Sequence, residues 1–220
     1  MDSPQLVTVI ARGHSGTRMI AQTLYASGVF MGDTVNAAGD KVPADKLYKA
    51  CRLFAKHVTW NGGLDWDFSR VARGPVPADF QKLVRAYLAD LFELRSPHFA
   101  PLSLRGWKLP ETILAFPWIA AMFPEARFIH LVRDKLDTIQ GRHQTDNLRD
   151  WGVACERTSD IMRQREISWH YQDSIVRAVP QPKHWLHVTY ADFVNHQERE
   201  LSRLESFLGI PLARIPVRKK

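Results

Sequence analysis

Apolar runs rich in β-branched and aromatic residues occur at positions 6–11, 102–108, 127–132 and 185–189, and each reads as a strand. Helical spacing separates them. After the first run, Met19, Ile20, Leu24 and the alanines between them form one apolar face, while residues 79–94 repeat apolar positions at Phe80, Leu83, Val84, Tyr87, Leu88 and Leu91 until Arg95-Ser-Pro97 stops the pattern. Residues 111–122 predict a short helix that Pro117 kinks or breaks, and 147–179 predict a long helix, polar on one side, ending near Val179-Pro-Gln-Pro182. Strands alternating with helices need crossover connections, so the expected fold is α/β, a three-layer sandwich around a central parallel sheet. Segments 28–43 and 61–77, rich in Gly, Asp and Trp, have weak periodicity and read as loops or lids. No internal repeat or low-complexity stretch interrupts the chain.

Composition changes this picture little. A chain of 220 residues, 45% hydrophobic and 24% charged, can bury one full core, so a single domain over 1–220 is expected. The net charge of +7 points to an anionic ligand, a nucleic acid or an acidic surface. Arginine outnumbers lysine twenty to ten, which suits forked recognition of phosphate or sulfate oxygens, although most surface arginines are simply solvated. Cys51 and Cys155 make neither a disulfide framework nor a metal-ligand spacing, and a reducing compartment fits. Met1-Asp-Ser-Pro-Gln5 lacks the pattern of a signal peptide and no run approaches ~20 apolar residues, so a cytoplasmic chain without membrane contact is expected.

The candidate chemistry starts where the first strand ends. In Leu6-Val-Thr-Val-Ile-Ala-Arg-Gly-His-Ser-Gly-Thr-Arg-Met-Ile-Ala-Gln-Thr-Leu24 a small polar loop joins strand to helix, the P-loop-like form of a phosphate cradle. Gly13 and Gly16 permit close backbone approach, unpaired amides at the helix start face an anion, Ser15 and Thr17 add hydroxyls, and Arg12, His14 and Arg18 add charge. The bland reading is a tight turn whose Ser15 or Thr17 caps the helix. A Walker loop needs Gly-Lys-Ser/Thr at its end, and here Gly16-Thr17-Arg18 has no lysine. No Gly-x-Gly-x-x-Gly follows the strand, which removes the dinucleotide fingerprint.

His14-Ser-Gly-Thr-Arg18 resembles the 5′-phosphosulfate loop of sulfotransferases that use 3′-phosphoadenosine-5′-phosphosulfate (PAPS). Two further segments match in order. Phe123-Pro-Glu-Ala-Arg-Phe-Ile-His-Leu-Val-Arg-Asp134 is similar to the family's Pro-turn, strand and Arg-Asp of the 3′-phosphate site. Leu186-His-Val-Thr-Tyr-Ala-Asp-Phe193, with a closing helix that ends in Phe207-Leu-Gly-Ile-Pro211, is similar to the family's last strand and helix. The match leaves roughly residues 30–100 aside, which then read as a helical or loop insert forming an acceptor-side lid.

The resemblance implies a soluble, bacterial-type enzyme that moves a sulfuryl group from PAPS to a hydroxyl or amine of a small molecule or glycan, with no metal and no nucleic-acid partner. It implies nucleotide contacts from Arg12, Gly13, His14, Ser15, Gly16, Thr17 and Arg18, from Arg133 and Arg142, and from Tyr190 on the adenine side. For Arg133-Asp134 a helix start capped by Asp134 is the alternative, and for Tyr190 an edge aromatic of the core. Two positions depart from the pattern. Gly141 stands where the family has a serine for the 3′-phosphate, with Arg142 or Thr138 as substitutes, and His14 stands where it has a lysine or arginine on the leaving oxygen. The catalytic candidates are His14, Arg18 and Lys108, with Glu111 as base or, more plainly, a first-turn helix acid. His184 and His187, three apart on a strand, face opposite sides and read as structural. A kinase-like phosphotransferase and a nucleotide-binding module without catalysis remain the alternatives.

Overall fold

The structure, a computed structural model, describes residues 5–92 and 104–217. Four parallel strands form its main sheet in the order β4 (Leu104–Lys108), β1 (Gln5–Ile10), β5 (Arg127–Val132) and β6 (Trp185–Thr189). The expected strand start at Leu102, the end of helix 79–94 with its Arg95-Ser-Pro97 stop, and most of the N-terminal pentapeptide lie outside the described residues.

Strand periodicity divides the core in two. On β1, Leu6 and Ile10 face one side and Val7 and Val9 the other, because successive side chains of a strand alternate. The first side packs on α2 (Asp45–Ala55), α4 (Ala78–Phe92), α5 (Phe116–Met122) and α7 (Ile161–Arg177) through residues such as Phe54, Phe80, Trp118 and Tyr171. The second packs on α1 (Thr17–Ala26), α8 (Tyr190–Asn195) and α9 (Gln197–Leu208) through Ile20, Leu24, Phe193, Leu201 and Leu204. Both faces are thus covered and the three-layer α/β reading stands. Gly106 sits in β4 because a Cβ there would run into the Val7 carbonyl oxygen of the neighbouring strand.

Several elements differ from expectation. The predicted helix 147–179 is a 3₁₀ turn at Leu148–Trp151, a non-helical stretch over 152–159, and α7, which starts only where Asp160 caps the amides of Met162 and Arg163. The break has local and tertiary causes: Gly152 takes a left-handed conformation, and the Ala154 carbonyl accepts from Trp66 Nε1 at 2.9 Å rather than from a helix turn. Residues 111–122 divide likewise into a 3₁₀ helix (Pro110–Ala115) and α5, with the break just before Pro117. Within 61–77 lie most of an antiparallel hairpin, β2 (Thr59–Gly62) and β3 (Asp65–Asp67), and the helix α3 (Ser69–Arg73). Trp66, Phe68 and Val71 of this stretch are buried in the core. Helix α2, unassigned by the sequence reading, buries Leu47, Ala50, Cys51 and Phe54 at helical spacing.

Candidate active site

Parallel strands point their carboxyl ends the same way, so the loops after β1, β5 and β6 meet at one end of the sheet. The loop 11–16 turns through two left-handed residues, His14 (φ 67°) and Gly16 (φ 96°), before α1 begins at Thr17. No side chain caps α1 and its first turn has no acid, so the capping role considered for Ser15 and Thr17 is not taken up. A non-glycine residue in the left-handed region is costly, and here side-chain contacts hold it. His14 Nε2 lies 2.5 Å from the Arg142 carbonyl oxygen, and its ring covers Gly141 so closely that a Cβ there would sit 2.5 Å from His14 Cγ. The two departures from the family pattern therefore touch each other.

Arg133, after β5, donates to the His14 carbonyl at 3.4 Å and lies over the Tyr190 ring at 4.3 Å. Tyr190, the first residue of α8, presses on Gly16, where a Cβ would approach its ring to 2.6 Å. Loop, arginine and tyrosine are thus brought together as the sequence reading requires. Asp134 does cap the helix α6 (Lys135–Gln140), accepting from the amides of Leu136 and Asp137, which fixes the chain direction just after Arg133. Thr138 bonds the carbonyls of Arg133 and Asp134, while Arg142 is exposed and supplies its carbonyl to His14.

Arg12 has a different place. Its buried guanidinium donates to Asp146 Oδ1 at 2.8 Å and to the Thr138 carbonyl at 3.0 Å, and Asp146 is held from its other oxygen by Arg165 and by the His143 amide. Burial lowers the Arg12 pKa, and Asp146 opposes that shift. Arg12 ties the loop to segment 138–146 from below.

Lys108 and Glu111 stand at the end of β4. Lys108 Nζ is 2.5 Å from Asp40 Oδ1, with burial lowering the lysine pKa against the pull of that carboxylate. Glu111 is fully buried at the start of the 3₁₀ helix. Its Oε1 accepts from Gln144 Nε2 at 2.7 Å and lies 3.3 Å from His143 Nε2, while Oε2 is among the buried polar atoms without a hydrogen-bond partner. Burial pushes the Glu111 carboxyl up to about 7, with Asp40 adding to the rise and the Gln144 bond and Lys108 opposing it. Burial, with Arg12 and His14 nearby, lowers His143 to about 4. Arg18, exposed on the first turn of α1, adds positive potential at Lys108.

Sequence reasoning missed Asp40, Tyr48, His143, Gln144 and Asp146. All but Tyr48 lie in irregular segments with no periodicity, and no spacing signal would have found them. His184 and His187 have other partners: His184 faces Glu125 at 3.4 Å, and His187 packs on His130. Among the described residues no group of three or more His, Cys, Asp or Glu is placed to hold a metal ion, and no helix is long and apolar enough to cross a membrane.

The profile of the family described as "Sulfotransferase family" matches residues 6–214, nearly the whole chain. The chain belongs to the sulfotransferase family. Among solved structures it is similar to a sulfotransferase domain from the curacin biosynthetic pathway, with a TM-score of 0.57 and 16% identity over 96% of this chain and 75% of that one. The sulfotransferase from Alicyclobacillus acidocaldarius also matches, at TM-score 0.49 and 11% identity over 100% of this chain and 87% of that one. No curated protein matches. The first likeness supports the fold, and the matched interval includes every residue of the site described above.

Proposed function

We propose that the protein transfers a sulfuryl group from PAPS to a hydroxyl or amine of a small-molecule or glycan acceptor and releases adenosine 3′,5′-bisphosphate. One observation carries this reading: the uncapped start of α1, Arg133 and Tyr190 converge at the carboxyl ends of three parallel strands. The amides of Ser15, Gly16 and Thr17 suit the 5′ end of the donor, because a helix start offers unpaired N–H groups and positive potential. Arg133, with Arg142 exposed nearby, suits the 3′-phosphate, and the Tyr190 ring suits the nucleoside side. Arg12 supports the loop through Asp146, which leaves His14, Arg18 and Lys108 as the candidates to stabilise charge on the leaving oxygen.

In the proposed reaction the acceptor oxygen or nitrogen forms a bond to sulfur as the bond from sulfur to the bridging oxygen of PAPS breaks. The acceptor proton passes to Glu111, whose Oε2 has free lone pairs. Lys108 then exchanges Asp40 for the sulfuryl oxygens.

The test is calorimetric titration with adenosine 3′,5′-bisphosphate, ATP and AMP, followed by an assay of PAPS turnover. Tight binding is expected for the bisphosphate alone and without magnesium, and Arg133→Ala should weaken it by about 1.5–3 kcal/mol, the range for a hydrogen bond to a charged group. Preference for ATP with magnesium would replace this reading by a kinase-like one. Bisphosphate binding without turnover against a broad acceptor panel would support a nucleotide-binding module.

A further inference from the structure

One ring touches both halves of the site. His143 lies beneath the anion loop, where a Cβ on Gly13 would run into its Cδ2, and its Nε2 is 3.3 Å from Glu111 Oε1. Its other nitrogen is already committed. The Thr145 amide donates to Nδ1 at 3.3 Å, and the Thr145 hydroxyl, 2.9 Å from Nδ1, accepts in turn from Gln172 Nε2 at 3.1 Å. An amide can only donate, so Nδ1 is an acceptor and the ring proton sits on Nε2, the nitrogen 3.3 Å from Glu111 Oε1.

We propose that His143 is a positioning residue: its Nε2–H pairs with Glu111 Oε1, leaves Oε2 unbonded, and ties that carboxyl to the backbone of the anion loop through Gly13. Gln144 Nε2 completes the clamp on Oε1 and is itself 2.9 Å from the Tyr48 hydroxyl. Gln144 and His143 thus both approach Oε1, and the other oxygen keeps its lone pairs. Oε2 is accordingly the carboxyl oxygen without a partner. Burial keeps the His143 imidazole neutral, so it has a single proton to donate and cannot compete with Glu111 for the acceptor's proton.

Charged and titratable groups from several elements bear on this pair. Around Glu111 they are Lys108 at the end of β4, Asp40 of segment 28–43, and Tyr48 and Cys51 on α2, with Tyr87 of α4 close behind. Around His143 they are Arg12, His14, Asp146 and Asp40. Among the described residues, His143 is the imidazole that pairs with Glu111.

The inference rests on the sulfuryl-transfer reading for what Glu111 does, but its geometry is testable without turnover. Nitrogen-15 NMR of ring-labelled protein should show His143 in the Nε2–H form at neutral pH, with its ring shifts moving at the pH where Glu111 titrates. An Nδ1–H form would overturn the proposal. Difference infrared spectroscopy, with the Glu111 carboxyl band assigned by its loss in Glu111→Gln, then follows that titration in variants. A donated N–H favours the charged carboxylate, so His143→Leu should move the Glu111 midpoint up by about one pH unit, and His143→Gln, which keeps a donor, should restore most of it. A Glu111 midpoint unchanged in His143→Leu would also overturn it. The two readings fail separately: the shift without PAPS turnover leaves the positioning role standing and removes the reaction, and turnover without the shift does the reverse.

Discussion

Glu111 sets how the site responds to pH. Burial raises its carboxyl to about 7, so the folded protein holds a proton that the unfolded chain releases near the ordinary value of 4.5. Between those values the folded state binds more protons than the unfolded one, and stability therefore falls as pH rises through the interval. Glu111→Gln removes that slope. The variant is expected to be more stable than wild type above pH 7, with the difference shrinking toward pH 4.5, as read from denaturation midpoints across pH. Parallel slopes in the two proteins would show that the buried carboxyl carries no such penalty. In the PAPS assay the same variant should lose about 10²- to 10⁴-fold, and the wild-type rate should climb through pH 7 as Glu111 ionises. Sequence alone placed Glu111 in a first helical turn. Its full burial and its clamp by Gln144 come from segments far along the chain, which no local pattern reports.

At the scale of elements, the contact between the anion loop and the end of α6 decides which side chains fit. His14 is left-handed, bonds the Arg142 carbonyl and covers Gly141, whose own φ of −86° any residue can adopt. The requirement for glycine at 141 is thus one of space and not of backbone freedom. Gly141→Ser is expected to displace the His14 ring and cost about 1–3 kcal/mol, as overpacking does, while His14→Ala in the same chain should return part of that loss. Urea denaturation of both singles and the double tests this: a coupling of at least about 0.5 kcal/mol is expected between touching residues, and additive effects would mean the ring does not occupy that space. In the sequence His14 and Gly141 are two unrelated departures 127 positions apart. Only the register of β1 beside β5, pairing Val9 with Ile129, makes them neighbours.

For the whole molecule, the parallel sheet gathers three loops at one end, and a net charge of +7 supplies a field that favours an anionic ligand there. A ligand that binds only the folded state stabilises all of it. Adenosine 3′,5′-bisphosphate at a hundred times its Kd should add about 2.7 kcal/mol, which for a chain of this size is a rise in Tm of roughly 5–10 °C. Thermal scans should show this rise for wild type, with Arg133→Ala reducing it at the same ligand concentration. An equal rise with AMP would mean that the 3′-phosphate is not recognised.

The sequence by itself determined the α/β class, the four strands of the main sheet and the strand-loop-helix at 6–24, and its resemblance to the sulfotransferase family singled out Arg133 and Tyr190. The first three follow from near-neighbour physics: period-two and helical spacing and glycines at a turn, with the hairpin β2–β3 left unread. Tertiary structure alone decided what fills the space beneath. It sent Arg12 to Asp146, broke the expected helix 147–179 where Trp66 takes the Ala154 carbonyl, buried Glu111, and wedged His143 between Gly13 and that carboxylate. Each of these depends on groups dozens of residues away meeting in a low-dielectric interior, where an unpaired charge or donor is costly and the partner, not the local pattern, fixes the role.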